Sequence, residues 1–204
     1  MVAVDREEHS RSVKQKILDA ARELLVADGV EGFSMRKLAG KIGYTATGIY
    51  HHFPDKQAVL EEVIETDFRS LRASLGRIGN VGDPIDRIQQ MGMAYVDFAI
   101  EFPSHYQILF MTPASLPPDT KIVRCDPAED AYAFLKQVVI EGLALGRFRT
   151  EFLDADELSQ IIWSSAHGLV SLHITKGNDP WVPWRDLRSV SEKLFEALLR
   201  GLVR

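Results

Sequence analysis

Cysteine is almost missing from this chain. Cys125 is the only one, so no intramolecular disulfide can form, and the reading is a reducing, cytoplasmic setting. Long apolar runs are missing too: nothing approaches the ~20 consecutive apolar residues that a membrane-spanning helix needs. The N-terminal MVAVDREEHSRS is charged where a signal peptide carries an apolar core, so no membrane partner is expected. Neither G-x-x-x-x-G-K-[ST] nor G-x-G-x-x-G occurs, which removes the basis for nucleotide binding; the segment GLALG (142–146) has the wrong spacing and falls at a helix end. H-x-x-x-H and C-x-x-C are absent as well. His51 and His52 are adjacent and point apart, so neither metal nor cofactor is expected. Pairs such as Glu7–Glu8 and Glu61–Glu62 read as a solvated face, and Cys125 has no assignable base partner. The sequence offers no reactive constellation, and the chain is not read as an enzyme. No stretch alternates as a strand would, so the fold class is all-α.

What is present begins with enough apolar residues, 46% of 204, to bury a core in one or two domains. The formal charge of −5 argues against nucleic acid until its distribution is considered. Residues 1–60 hold nine Lys/Arg against eight Asp/Glu, and the remainder fifteen against twenty-one. Within 34–57 the cations are Arg36, Lys37, Lys41 and Lys56, opposed by Asp55 alone. A locally basic segment on an acidic body limits non-specific attachment to DNA while leaving one region free to bind it.

That segment, SMRKLAGKIGYTATGIYHHFPDK (Ser34–Lys56), carries two short helical patterns. Ser34 is placed to cap a first helix over Met35–Lys41, with Met35, Leu38, Ala39 and Ile42 on one buried face. Gly43 can close it in a left-handed conformation. Thr45 caps a second helix, Ala46–His52, with Ile49 and Phe53 facing inward. Two short helices joined by a glycine-containing turn form a helix-turn-helix signature. Thr47 and Gly48 are small residues that let the backbone approach base edges, and both are read as base-facing, with Lys37 beside them. Ser34, Thr45, Tyr50, His52 and Lys56 are read as contacts to the DNA backbone, while Arg36 and His51 can serve either purpose. Lys56 follows the cap Asp55, so its cation sits in a first turn that disfavours positive charge. A bound phosphate would account for it.

These residues resemble the DNA-binding domain of the TetR (tetracycline repressor) family of bacterial regulators. The resemblance runs from about Val13 to Leu60 and rests on Ile17–Ala21, Leu24, Gly29, Phe33–Ser34, Leu38–Ala39 and Gly43. Its most specific part is T-x-x-G-I-Y-x-H-F-x-D-K, from Thr45 to Lys56, after A-G-K-I-G-Y. The segment Trp163–Gly168, W-S-S-A-H-G, resembles the W-x-x-x-H-G motif of one C-terminal subclass, the WHG type. The family resemblance implies a double-stranded DNA operator as one partner and a small-molecule effector, of unknown identity, as another.

About nine helices are expected, as an N-terminal helix-turn-helix domain plus a C-terminal helical bundle. The first helix is placed over about Ser12–Asp28 with Gly29 closing it, preceded or opened by Arg6, Arg11, Lys14 and Lys16, which are solvated or touch phosphate. A fourth helix from Asp55 to about 75 exceeds what the small head needs and is read as a bridge whose tilt carries a signal. The domains are 1–60, with that helix bridging, and 76–204 for ligand binding and dimerisation; Gly76, Gly79, Gly82 and Pro84 mark the break. Asp83–Pro84 reads as cap and first residue of the next helix, which Pro103 stops. His105–Met111 is read as another helix, and the proline-bearing stretch 112–125 as a loop. Asp126–Pro127 repeats the cap-and-proline start of a helix ending at Gly146. Asp154 with Glu157 forms an acidic capping box, and the last helix covers Leu187–Val203.

The last two long helices carry apolar faces that either pack within one bundle or meet a second copy, since small residues (Ser164, Ser165, Ala166, Gly168, Ser171) allow close backbone approach and Leu198, Leu199 and Leu202 supply a seam. A homodimer through them places two reading heads on one face of a duplex, about one helical turn or ~34–36 Å apart, and predicts a palindromic operator. Met91, Phe98, Phe102, Tyr106, Phe110, Phe134 and Trp163 are either packed core or the walls of an effector cavity, with His105, Tyr106, Arg124 and His167 as its polar groups. Trp163 and His167 share a helix face at i, i+4 and either pack or touch ligand. The predicted activity is a ligand-responsive regulator, a repressor released by its effector. An activator of the same fold, or a helical small-molecule-binding protein whose head contacts another protein, are the alternatives.

Overall fold

The computed structural model describes residues 2–78, 82–112 and 120–204, with side chains from Ser12 onward. Among these are nine helices and no strand: α1 (Val2–Gly32), α2 (Met35–Ile42), α3 (Ala46–Tyr50), α4 (Lys56–Gly76), α5 (Pro84–Glu101), α6 (Pro103–Met111), α7 (Ala131–Ala144), α8 (Ala155–Lys176) and α9 (Leu187–Leu202). The fold is all-α. Side chains of Arg6 and Arg11, Gly79 and residues 113–119 of the expected loop lie outside the described residues.

The chain packs as two compact units, residues 1–67 with 104–121 and residues 68–103 with 122–204. In the first, Val13, Ile17, Leu18, Ala21 and Leu25 of α1 are buried, and α2 packs on α1 and α3. Gly29 (φ 69°) interrupts α1 near its end, a conformation that costs a glycine nothing. Helical backbone starts at Val2, well before the expected Ser12.

In the second unit α5 packs against α7, α8 and α9. Gly92 makes the α5–α9 approach possible: a Cβ there would lie 2.0 Å from Cζ of the fully buried Phe195. Asp83, Asp130, Asp154 and Asp186 cap α5, α7, α8 and α9, each accepting backbone N–H bonds.

Three further helix boundaries differ from the sequence reading, each for a local reason. Helix α7 begins at Ala131, not after Asp126–Pro127. The Asp126 carbonyl accepts from the amides of both Glu129 and Asp130, while its carboxylate accepts from Ala128. That cap therefore closes a separate turn, and Asp130 opens the helix. Helix α3 stops at Tyr50 rather than His52, because the His52 amide takes the Ile49 carbonyl three residues back in a tighter turn, and a residue before proline avoids helical backbone. Pro103 opens α6 instead of only ending α5, since proline suits a first helical turn.

Candidate nucleic-acid interface

The helix-turn-helix is built as its capping residues dictate. Ser34 Oγ accepts from the Lys37 amide at 3.3 Å and Thr45 Oγ1 from Gly48 at 3.1 Å. Gly43 takes the left-handed conformation (φ 69°) and its amide bonds the Ala39 carbonyl. The apolar side is closed by Met35, Leu38, Ala39, Ile49 and Phe53, all buried. What remains outside is Arg36, Lys37, Lys41, Tyr44, Thr45, Thr47, Tyr50 and His51, with Ser34, Gly48 and His52 half-buried. An accepting hydroxyl keeps its own hydrogen, so Ser34 and Thr45 can cap a helix and still donate outward.

The cations differ in how they are held. Lys37 Nζ is 2.8 Å from Asp28 Oδ2 and 2.9 Å from the Gly32 carbonyl, and Lys41 Nζ is 2.7 Å from Glu23 Oε2. Lys56 Nζ donates to the Val30 carbonyl at 2.6 Å and stands 5.9 Å from the Phe33 ring centroid. The cation in the first turn of α4 is thus compensated by a carbonyl from the end of α1 and by an aromatic face, with no phosphate required. Its partner lies 26 residues away, beyond what local rules reveal. Arg36 is exposed and makes no hydrogen bond or ion pair among the described residues. Lys14, from the expected basic arm, is paired to Glu62 Oε1 at 2.7 Å.

One exposed group escaped the sequence reading. Tyr44 precedes the cap Thr45, and the residue is 38% exposed. A Cβ added to Gly48 would meet Tyr44 Cδ1 at 3.6 Å, so this ring stands beside the face of α3 on which Gly48 sits. The signal available beforehand was an aromatic residue in a turn beside a glycine in the next helix.

The candidate effector residues fall into separate groups. In the first unit, Tyr106 is fully buried with its centroid 5.0 Å from Phe110, and His105 Nδ1 lies 3.0 Å from Asp67 Oδ1. In the second, Phe98 and Phe102 stand 5.5 Å apart, Met91 is buried, and Phe134 packs under the Arg72 guanidinium at 4.1 Å. Trp163 Nε1 donates to the Tyr95 hydroxyl at 3.2 Å, and that hydroxyl lies 3.5 Å from His167 Nδ1. Burial holds the His167 pKa below its ordinary 6.5, so its neutral ring can accept from the phenol. Trp163 nevertheless stays 37% exposed and touches Tyr132, 6.0 Å between centroids. Arg124 is exposed in the turn before α7 and makes no ion pair among the described residues. Among those residues no cluster of His, Cys, Asp and Glu is suited to a metal ion, and no helix is long and apolar enough to cross a membrane.

Two family models match the chain. Bacterial regulatory proteins of the tetR family match residues 17–63, and the tetracyclin repressor-like C-terminal domain matches 88–202, more than half of the chain. Among curated relatives, the HTH-type transcriptional repressor Rv1474c of Mycobacterium tuberculosis is 32% identical over 76 residues, 37% of this chain and 41% of that protein. The uncharacterized HTH-type transcriptional regulator YobS of Bacillus subtilis is 29% identical over 94 residues, 46% and 49% of the two chains. The matched stretch thus spans less than half of each of these relatives. Among solved structures, the fatty acid degradation regulator FadR from Bacillus halodurans superposes with a TM-score of 0.74 at 17% identity, over 91% of this chain and 94% of its own. The ketosteroid transcriptional regulator KstR2 of Mycobacterium tuberculosis gives 0.68 at 20%, over 94% and 95%; at such identities these show the shared fold. With a capped helix-turn-helix in its first unit and a C-terminal model covering most of its second, the chain belongs to the TetR family of bacterial regulators, DNA-binding transcription factors and not enzymes.

Proposed function

We propose that this regulator is a cytoplasmic repressor that binds a palindromic operator as a homodimer and leaves it when a small molecule binds. The observation that carries the reading is the division of α2 and α3 into a buried apolar side and an outer side bearing Arg36, Thr47, Tyr50 and His51. Thr47 and Gly48 approach base edges with Lys37 beside them. Ser34, Thr45, Tyr50, His52 and Lys56 serve the phosphate backbone, Lys56 by exchanging its Val30 carbonyl for a phosphate oxygen. Arg36, with no partner to surrender, is the first cation available to DNA.

The dimer is supported by two helical glycines. A Cβ on Gly168 of α8 or on Gly201 of α9 would meet nothing within 4 Å. Glycine inside a helix costs roughly 0.5–1 kcal/mol against alanine, and packing within this chain does not require it at either position. Exposed Leu172 lies on the same helix as Gly168, and a second copy approaching there accounts for all three residues. The effector reading rests on Trp163 and His167, which hold a polar hub with Tyr95 while the indole stays partly open. A ligand that prefers one conformer shifts DNA affinity by that difference in affinity, typically about 1–3 kcal/mol, and α4, continuous between the two units, would carry the change.

Footprinting on the chain's own upstream region should show two protected half-sites about one helical turn apart, with sedimentation giving a dimer. Gly168→Leu should yield a folded monomer with much weaker operator binding, because the space it fills is open in one copy. A wild-type monomer, or a single protected half-site, would refute the model.

A further inference from the structure

We infer that Tyr44, in the turn between α2 and α3, is a DNA-contacting residue whose phenol hydroxyl donates to a backbone phosphate at the edge of the groove. Helix α3 is five residues long, with Ile49 buried beneath it, so its own outer surface is small: Thr47 and Tyr50 are exposed, Ala46 and Gly48 partly so. The Tyr44 ring lies beside Gly48, its Cδ1 3.6 Å from where a Cβ there would stand, an ordinary van der Waals distance. Beside the glycine that approaches the bases, the tyrosine thus offers DNA an additional hydrogen-bond donor. The phenol makes no hydrogen bond among the described residues, and the backbone around it is fixed. Tyr44 N bonds the Ala39 carbonyl at 3.0 Å, and the next residue caps α3.

A hydrogen-bonded turn fixes the tyrosine's backbone, so its exposed hydroxyl has less freedom to lose on binding. Because Tyr44 precedes the cap, it belongs to the rim of the reading surface, where phosphates run, rather than to the face turned toward the bases. Tyrosine is among the side chains that serve phosphate oxygens. It is a neutral donor, which gives the contact a distinctive signature. Neutralising a phosphate with Lys or Arg releases counterions and sets the salt dependence; a phenol does not.

This inference rests on the assignment of α2–α3 as the DNA-binding surface. The test is binding of wild type and Tyr44→Phe to two duplexes, the upstream region and a random sequence of equal length, across a salt series. Tyr44→Phe removes one oxygen and keeps the ring beside Gly48, so its melting temperature should match wild type. Loss of a charge-assisted bond corresponds to about tenfold weaker binding, equal on both duplexes, with an unchanged slope of log K against log salt. Arg36→Ala should instead shallow that slope by about one per contact. Unchanged affinity in Tyr44→Phe overturns the contact, and a changed sequence preference overturns the phosphate assignment. Wild-type protein that binds neither duplex at low salt overturns the surface assignment itself, and this one with it.

Discussion

In each compact unit a histidine sits inside a polar cluster, and the two clusters handle burial differently. In the first unit the fully buried Asp67 takes Arg22 Nε at 2.8 Å and lies 3.0 Å from His105. Arg22 itself is 2% exposed, with Nη1 turned to Asp19 at 2.6 Å. The Arg22–Asp67 pair joins α1 and α4 through charge, and His105 of α6 stands against the same carboxylate. In the second unit Tyr95, Trp163 and His167 meet through a phenol, an indole and a neutral imidazole, so no charge is desolvated. The difference teaches where each unit is vulnerable. A buried ion pair adds little net stability against an apolar alternative, but losing one partner strands the other. A neutral hub loses only its bonds when it is cut.

The largest expected effect follows from that asymmetry. Asp67→Ala should cost about 3–5 kcal/mol in urea unfolding, toward the lower end because Asp19 still holds Nη1; a loss below about 1 kcal/mol would dissolve the contrast. A steric change should come next. Gly92→Ala drives a methyl into the Phe195 ring, and overpacking of this kind costs about 1–3 kcal/mol. If it is tolerated like a surface change, the α5–α9 contact is looser than the 2.0 Å approach indicates. Tyr95→Phe should be milder, about 1 kcal/mol for a neutral hydroxyl, with tryptophan emission reporting the freed indole. A cost equal to that of Asp67→Ala would mean the two clusters are energetically alike.

The parts of this molecule legible in its sequence are those governed by neighbours in the chain. Ser34, Gly43 and Thr45 act within three or four residues, and the helix-turn-helix they delimit was readable down to its buried Leu38 and Ile49. The aspartate caps at 83 and 154 were equally visible. Asp126–Pro127 misled because a cap motif closes a turn as well as it opens a helix, and only Asp130 four residues on decides which. Lys56 looked uncompensated because its Val30 carbonyl is remote in sequence, and Asp67 drew no notice because Arg22 lies 45 residues away. Tyr44 was passed over because its exposure depends on which way a turn carries it. None of these long-range pairings leaves a periodic trace.

The smallest expected effect concerns pH and the second unit's histidine. Burial lowers the His167 pKa from 6.5, so below pH 6.5 the unfolded chain takes up a proton at this site that the folded chain resists. Stability at such a site rises with pH wherever the unfolded state binds more protons. The His167 contribution should therefore be constant above about pH 6.5 and fall as pH drops through the window between 6.5 and the folded value. Within that window the imidazole must charge against the Tyr95 hydroxyl, which its neutral Nδ1 had accepted. The measurement is urea unfolding of wild type and His167→Gln from pH 7.5 downward, with the imidazole followed by NMR. The glutamine variant should lose part of the acid slope that wild type shows. If both chains weaken in parallel, the acid sensitivity lies elsewhere, and the neutral hub is as indifferent to protons as its lack of charge would allow.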